Sequence, residues 1–185
     1  MTRHSPVVND LPEVTGVLPE AVIEKLREIG LRLDRSGIFW LEGASVTHPR
    51  LRQALLRWLD VREDGRDIVR LDAKRYAYID VEDAHLRARA ARWEGDRCLV
   101  LWDDDRELEL DYGSLRQAAD HALYVRVHDR LRGRIAGPAY HAIAERIVET
   151  PVETPVETPV ETPVEAGTGF ALEAAGQRWP IANAA

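Results

Sequence analysis

The chain has 185 residues, enough for one domain or two small ones, and 45% of them are hydrophobic, as in ordinary folded proteins. Its formal net charge is −7, but the five glutamates of one repeated segment supply −5, so the rest of the chain is almost neutral. An almost neutral body gives no general attraction to nucleic acid or to an anionic membrane surface, which argues against both as partners.

Cysteine content and the lengths of hydrophobic runs indicate the compartment. Cys98 is the single cysteine, so no internal disulfide can form, and its apolar neighbours predict that it is buried. No stretch reaches the ~18 apolar residues that a membrane-spanning helix needs, and residues 1–20 lack the apolar core of a secretory signal. We therefore expect a soluble, cytoplasmic protein.

The N-terminal half is predicted to consist of a disordered lead-in at residues 1–16 and an α+β part at residues 17–112. Apolar periodicity and turn residues predict two helices, at residues 19–29 and 49–59. Two short strands are predicted between them, at residues 31–33 and 38–41. Five further strands are predicted at residues 67–71, 75–81, 85–93, 97–102 and 107–112. The links between these strands are too short for crossover helices, so we expect an antiparallel meander.

A C-terminal strand-helix part is predicted at residues 113–148, with a strand at 123–127 and a third helix from Gly137 to Val148. It echoes the N-terminal part, since each has an apolar strand, a polar loop and a proline at the start of a helix. The echo is open to two interpretations, a duplicated motif or two ordinary strand-to-helix connections. The predicted fold is therefore α+β, with antiparallel hairpins, three short helices and the option of two similar strand-loop-helix subdomains.

Four consecutive copies of Val-Glu-Thr-Pro run from Val148 to Pro163. Proline at every fourth position excludes a helix and a central strand, which leaves an extended, solvated backbone. We assign residues 149–168 to a repeat loop and residues 169–182 to a closing hairpin, because large apolar residues alternate there. Prolines four apart do not match the three-residue turn of polyproline II, which favours a linker expanded by slippage over a docking ligand.

The usual catalytic and nucleotide-binding signatures are absent from the sequence, and this favours a non-catalytic protein. One polar grouping, formed by Asp80, Glu82, Asp83 and His85, combines carboxylates with an imidazole that could ligate a metal or move protons. Strand alternation splits it, with Asp83 and His85 on one side, so a polar strand edge is the favoured interpretation.

A second polar grouping consists of arginines. Residues spaced two apart lie on the same face of an extended chain and could together grip a phosphate or a carboxylate. The candidate anion-binding residues are Arg126, Arg130, Arg132 and Arg134. Asp120 and Asp129 are available to pair with them, so a solvated charged loop is the alternative interpretation.

Several short motifs occur in an order that is similar to a known family. They are the segment 37–43 followed by His48-Pro49, Val-Glu-Asp-Ala at 81–84, the segments 123–131 and 138–140, and Gly-Gln-Arg-Trp-Pro at 176–180. This order resembles bacterial proteins of domain of unknown function family 1285 (DUF1285). The resemblance implies a two-part α+β fold with repeated motifs, no established enzymatic activity and a suggested regulatory or signalling role. The repeat and the strongly basic segment 127–133 depart from that family's pattern.

The leading hypothesis is a non-catalytic, regulatory module that binds a small molecule or a protein partner without a cofactor. Two alternatives stay open. One is a metal-binding protein or enzyme that uses the Asp80–His85 grouping, and the other is an assembly protein with the repeat as a spacer.

Overall fold

The computed structural model describes residues 27–128, 130–151 and 168–183. These residues form fifteen strands and two α-helices, α1 (Pro49–Trp58) and α2 (Gly137–Ala144), with a 3-10 turn at Tyr112–Ser114. The strands are β1 (Leu31–Leu33), β2 (Phe39–Leu41), β3 (Ala44–Ser45), β4 (Leu59–Val61), β5 (Asp67–Arg70), β6 (Tyr76–Val81), β7 (Leu86–Glu94), β8 (Arg97–Trp102), β9 (Glu107–Glu109), β10 (Arg116–Gln117), β11 (Leu123–Val127), β12 (Leu131–Ile135), β13 (Ile147–Pro151), β14 (Thr168–Ala174) and β15 (Gln177–Asn183).

Two mixed sheets replace the expected antiparallel meander. The first has the order β3-β2-β1-β6-β5-β4, and the second has the order β13-β14-β15-β10-β11-β12-β7-β8-β9. Most neighbours are antiparallel, but β1 runs parallel to β6, β10 to β15, and β12 to β7. The α+β class is thus confirmed, whereas the purely antiparallel arrangement is wrong. The meander breaks between β6 and β7, because each of these strands pairs with a distant strand.

The same topology occurs twice. Unit A (β1–β6 with α1) and unit B (β10–β15 with α2) each place their strands in the order third, second, first, sixth, fifth, fourth. In each unit the helix follows the third strand and has a proline in its first turn. The two segments that echo each other in sequence form β2 and β11, the second strand of each unit. This coincidence supports the interpretation of a duplicated motif. The remaining strands, β7–β9, form a connecting ribbon between the units.

The core continues from unit A through the ribbon into unit B as one cluster of buried side chains. Trp102, on β8, lies across Gly133, on β12, where an added Cβ would stand 2.4 Å from the indole. Only glycine fits at this crossing. Cys98 is fully buried, as predicted, and this burial raises the pKa of its thiol to about 11.

The helices differ from the sequence-based prediction. Three were expected, but the first falls mostly outside the described residues. Of its described part, Arg27 is helical, and residues 28–30 are not. The helix that begins at Gly137 ends at Ala144 instead of Val148. Ile147 and Val148 are paired with β14 instead, because β-branched residues fit a pleated strand better than a helix. In the described part of the chain, no helix has the length and apolar character needed to span a membrane.

The predicted closing hairpin corresponds to β14 and β15, which pair from Phe170 with Ile181 to Ala174 with Gln177. Residues 149–151 and Thr168, assigned above to the repeat loop, are paired in β13 and β14. Proline is tolerated there because Pro151 is the last residue of β13, an edge strand. The rest of the repeat, residues 152–167, lies outside the described residues, as does the predicted lead-in.

Candidate functional site

A cleft of about 440 Å³ lies where unit A meets the ribbon and unit B. We call it the junction cleft. Unit A lines it with the end of α1 and the start of β4, the ribbon with the β8–β9 turn, and unit B with the β11–β12 turn. Its lining residues are Arg57, Leu59, Asp60, Arg106, His128, Arg130 and Leu131. Clefts between structural units are common binding sites, because side chains from several elements converge there.

Asp104 positions two of the cleft's arginines. Its side chain is completely buried. The carboxylate accepts one hydrogen bond from the backbone N–H of Arg106 at 3.0 Å and another from the guanidinium group of the same residue. Its backbone carbonyl accepts a hydrogen bond from Nε of Arg57 at 3.3 Å. One buried residue thus ties the end of α1 to the β8–β9 turn and fixes both guanidinium groups at the cleft.

The third arginine comes from the tight turn between β11 and β12. Nη1 of Arg130 donates to the carbonyl of Val61 at 3.1 Å, which joins this turn to β4. His128, in the same turn, has a φ of 50°, a left-handed conformation that histidine adopts more readily than most residues.

The cleft carries more positive than negative charge. Asp104 pairs with Arg106, and Asp60 pairs with Arg70, whose Nε is 2.6 Å from the carboxylate. Arg57 and Arg130, in contrast, donate only to backbone carbonyls and form no ion pair with any residue in the described ranges. Two guanidinium groups therefore face the cleft without a carboxylate partner among the described residues, an arrangement that attracts an anion.

A buried ionic network lies beside the junction cleft. Arg87 donates to the carbonyls of Asp34 and Arg35, which links the ribbon to the β1–β2 turn of unit A. Its backbone N–H donates to Oδ1 of Asp103 at 3.0 Å. Oδ2 of Asp103 is buried without a hydrogen-bond partner, and the nearest cation, Arg52, is 3.8 Å away. Burial therefore raises the pKa of Asp103 despite the nearby arginines.

The four arginines nominated from the sequence do not form one group. Arg126 and Arg132 are cross-strand partners on an exposed face, where Arg126 pairs with Asp111 at 2.8 Å and Arg132 donates to the carbonyl of Asp83. Arg134 forms ion pairs with Asp83 and with Asp120, and its hydrogen bond to Asp120 lowers the pKa of that carboxyl group. Of the four, Arg130 lies in the junction cleft. Asp129, the other carboxylate considered as a partner, lies outside the described residues.

The acidic grouping around His85 is also divided. Nε2 of His85 is 2.9 Å from Oδ1 of Asp67, and Nδ1 of the same ring accepts a hydrogen bond from the backbone N–H of Arg132. Glu82 pairs with Arg32, and Asp83 accepts a hydrogen bond from the Tyr124 hydroxyl at 2.5 Å. Asp80 is exposed on β6. Within the described ranges, no three histidine, cysteine or acidic side chains are arranged to hold a metal ion.

Sequence reasoning missed Arg57 and Arg106. Arg57 lies on the exposed side of an amphipathic helix, and Arg106 follows three aspartates in a hairpin turn. Solvated arginines are common at both kinds of position, so neither carries a local signal. The cleft arises from the packing of three elements that are distant in sequence.

No family model and no curated protein matches the chain. Two solved structures do match its fold, and both are DUF1285 family proteins. The chain has the DUF1285 fold. The DUF1285 protein from Silicibacter pomeroyi superposes with a TM-score of 0.62 and 18% identity, over 84% of this chain and 81% of that one. The DUF1285 protein from Shewanella baltica gives a TM-score of 0.52 and 14% identity, over 62% of this chain and 90% of that one. The resemblance to DUF1285 expected from the motif order is thus confirmed at the level of the fold.

Proposed function

We propose that this protein is a non-catalytic binding module that holds a small anion in the junction cleft. The observation that carries the proposal is the pair Arg57 and Arg130, which face the same cleft and donate only to backbone carbonyls within the described residues. A guanidinium group that is fixed in place but lacks a carboxylate partner can form strong, charge-assisted hydrogen bonds to an incoming anion.

The preferred ligand is a phosphate or carboxylate compound of metabolite size. The cleft volume of about 440 Å³ falls within the usual range for small-molecule sites. Arg57 belongs to unit A, Arg106 to the ribbon and Arg130 to unit B, so a bound anion would bridge all three parts. Such a ligand would favour one arrangement of the units, which is the basis for a regulatory role in the cytoplasm.

The test is isothermal titration calorimetry of the full chain with inorganic phosphate, citrate and adenosine monophosphate. Arg57→Gln and Arg130→Gln should each weaken binding of the best anion by about tenfold or more, since hydrogen bonds to charged groups contribute roughly 1.5–3 kcal/mol. The matched control is Arg97→Gln, because Arg97 pairs with Glu109 on the ribbon and does not line the cleft. Affinity should be unchanged in this control.

The exposed face with Arg126, Arg132 and Arg134 is the alternative anion site, and the same titration separates the two. A loss of affinity in Arg126→Gln, with no loss in Arg57→Gln or Arg130→Gln, would move the site to that face. The absence of measurable binding by all three anions would contradict an anion-binding function at either place.

A further inference from the structure

Unit B contains a groove of about 430 Å³ that is chemically unlike the junction cleft. It lies between α2 and the sheet, and its apolar wall includes Leu123, Tyr140, Ile147, Phe170 and Ile181. Phe170 has 40% of its surface exposed, which is a high value for a large apolar side chain on the core side of a sheet. We call this feature the unit B groove.

The position of α2 leaves one end of the unit B core face uncovered. In unit A, α1 packs against β5, and the core face of the sheet is buried at Leu31, Leu59, Val69 and Ile79. In unit B, α2 packs against β7 of the ribbon instead. The end of the unit B core face, around Phe170, is consequently left open.

The polar side chains that line the unit B groove are Gln117, His121 and Glu149, and Glu149 is the one carboxylate among them. Glu149 lies at the rim, is exposed, and forms no ion pair with any residue that the structure describes. Among the residues that the structure describes, no arginine or lysine lines the groove, although arginine lines the junction cleft at three positions. Tyr140 and Phe170 add aromatic rings beside this carboxylate, and aromatic faces attract organic cations. The lining therefore complements a positive charge attached to an apolar body.

We infer that the unit B groove is a second ligand site, which binds a small organic ammonium cation with an aromatic or aliphatic body. The apolar body packs against Leu123, Phe170 and Ile181, and the ammonium group faces Glu149. The repeat of this chain is a poor occupant, because it would bring further glutamates to Glu149 and has no basic residue to neutralise them. This site is independent of the anion proposed for the junction cleft.

Three matched probes test the inference by protein-observed NMR titration of the full chain. Phenethylamine carries the positive charge, phenethyl alcohol is neutral, and phenylacetate is negative, while all three share one ring. We expect phenethylamine to bind most tightly and to shift the resonances of Tyr140 and Phe170. Glu149→Gln should weaken phenethylamine roughly threefold to tenfold and leave phenethyl alcohol unchanged.

The control variant is Glu173→Gln, which removes a carboxylate from the opposite face of β14 and should leave phenethylamine binding unchanged. Equal affinity for the three probes, no binding by any of them, or unchanged binding in Glu149→Gln would overturn the inference. A variant that lacks residues 152–167 tests the rival occupant. If phenethylamine binds only after this deletion, the repeat fills the groove and the inference is wrong.

Discussion

Units A and B share one strand order but differ in where the helix packs. In unit A, α1 lies against its own sheet at β5, whereas in unit B, α2 lies against β7 of the ribbon. The strand order of a unit therefore does not determine which sheet its helix covers. In unit A, the helix packs on its own sheet, and the core face is buried at Leu31, Leu59 and Ile79. In unit B, the helix packs on the ribbon, and a groove remains beside Phe170. Unit B is also joined to the ribbon through the pairing of β12 with β7.

The largest expected effects come from truncating the buried side chains of the two helices. Leu56 and Ile143 are completely buried, so Leu56→Ala and Ile143→Ala should each lower the free energy of unfolding by about 2–5 kcal/mol. Hydrogen exchange distinguishes the two contacts. Leu56→Ala should reduce protection in β5, and Ile143→Ala should reduce it in β7.

The matched control for these truncations is Leu51→Ala, because Leu51 lies on α1 with 45% of its surface exposed. Its effect should stay within about 0.5 kcal/mol. If Ile143→Ala reduced protection in β14 while β7 kept its protection, the contrast between the two helices would be incorrect.

A smaller effect is expected where the ribbon crosses unit B. Gly133→Ala would bring a Cβ to 2.4 Å from Trp102, so it should destabilise the protein by about 1–3 kcal/mol in chemical denaturation. Gly113→Ala is the control, since its added Cβ would have no neighbour nearer than 3.6 Å. Equal stability of the two variants would show that the crossing of Trp102 over Gly133 is not a tight contact.

Sequence patterns predicted local features well. Alternation at Phe170 and Leu172 identified β14, and the echo between the segments that form β2 and β11 identified equivalent strands of the two units. The parallel pairs could not be predicted, because β1 and β6 are joined by some forty residues and pairing at that separation leaves no local pattern. Arg130 was found because the basic run 126–134 stands out. Arg57 and Arg106 were missed because packing alone brings them beside it.

The β1–β2 turn of unit A should show a pH-dependent effect. Asp34 accepts hydrogen bonds from the backbone of Ser36 and Ile38 and from Nε1 of Trp40. Desolvation raises the pKa of Asp34, but these hydrogen bonds outweigh it and the net pKa is lowered from 3.8. The stabilisation is therefore complete above about pH 4 and is lost as the pH falls through the lowered pKa.

Asp34→Ala tests this turn and should cost about 1–2 kcal/mol at pH 7 in urea denaturation, with a smaller difference from the parent at pH 3. A difference that is the same at both pH values would contradict the role of the ionised carboxylate.

The smallest predicted effect concerns Asp103, at the junction of unit A and the ribbon. Burial raises the pKa of Asp103, so the folded state takes up this proton before the unfolded state does. The parent protein should therefore gain stability relative to Asp103→Asn as the pH falls from 7 towards 4. Thermal unfolding midpoints across this range check the sign. A relative loss of stability on acidification would show that the arginines outweigh burial.

The central claim is that an anion is held by Arg57 and Arg130 in the junction cleft. The most direct measurement is an NMR titration of the arginine Nε–H groups of the full chain with inorganic phosphate, with side chains assigned by single Arg→Gln variants. We predict saturable shifts of Arg57 and Arg130, and no shift of Arg126, which is paired with Asp111. Shifts confined to Arg126, Arg132 and Arg134, or no saturable shift at all, would contradict the claim.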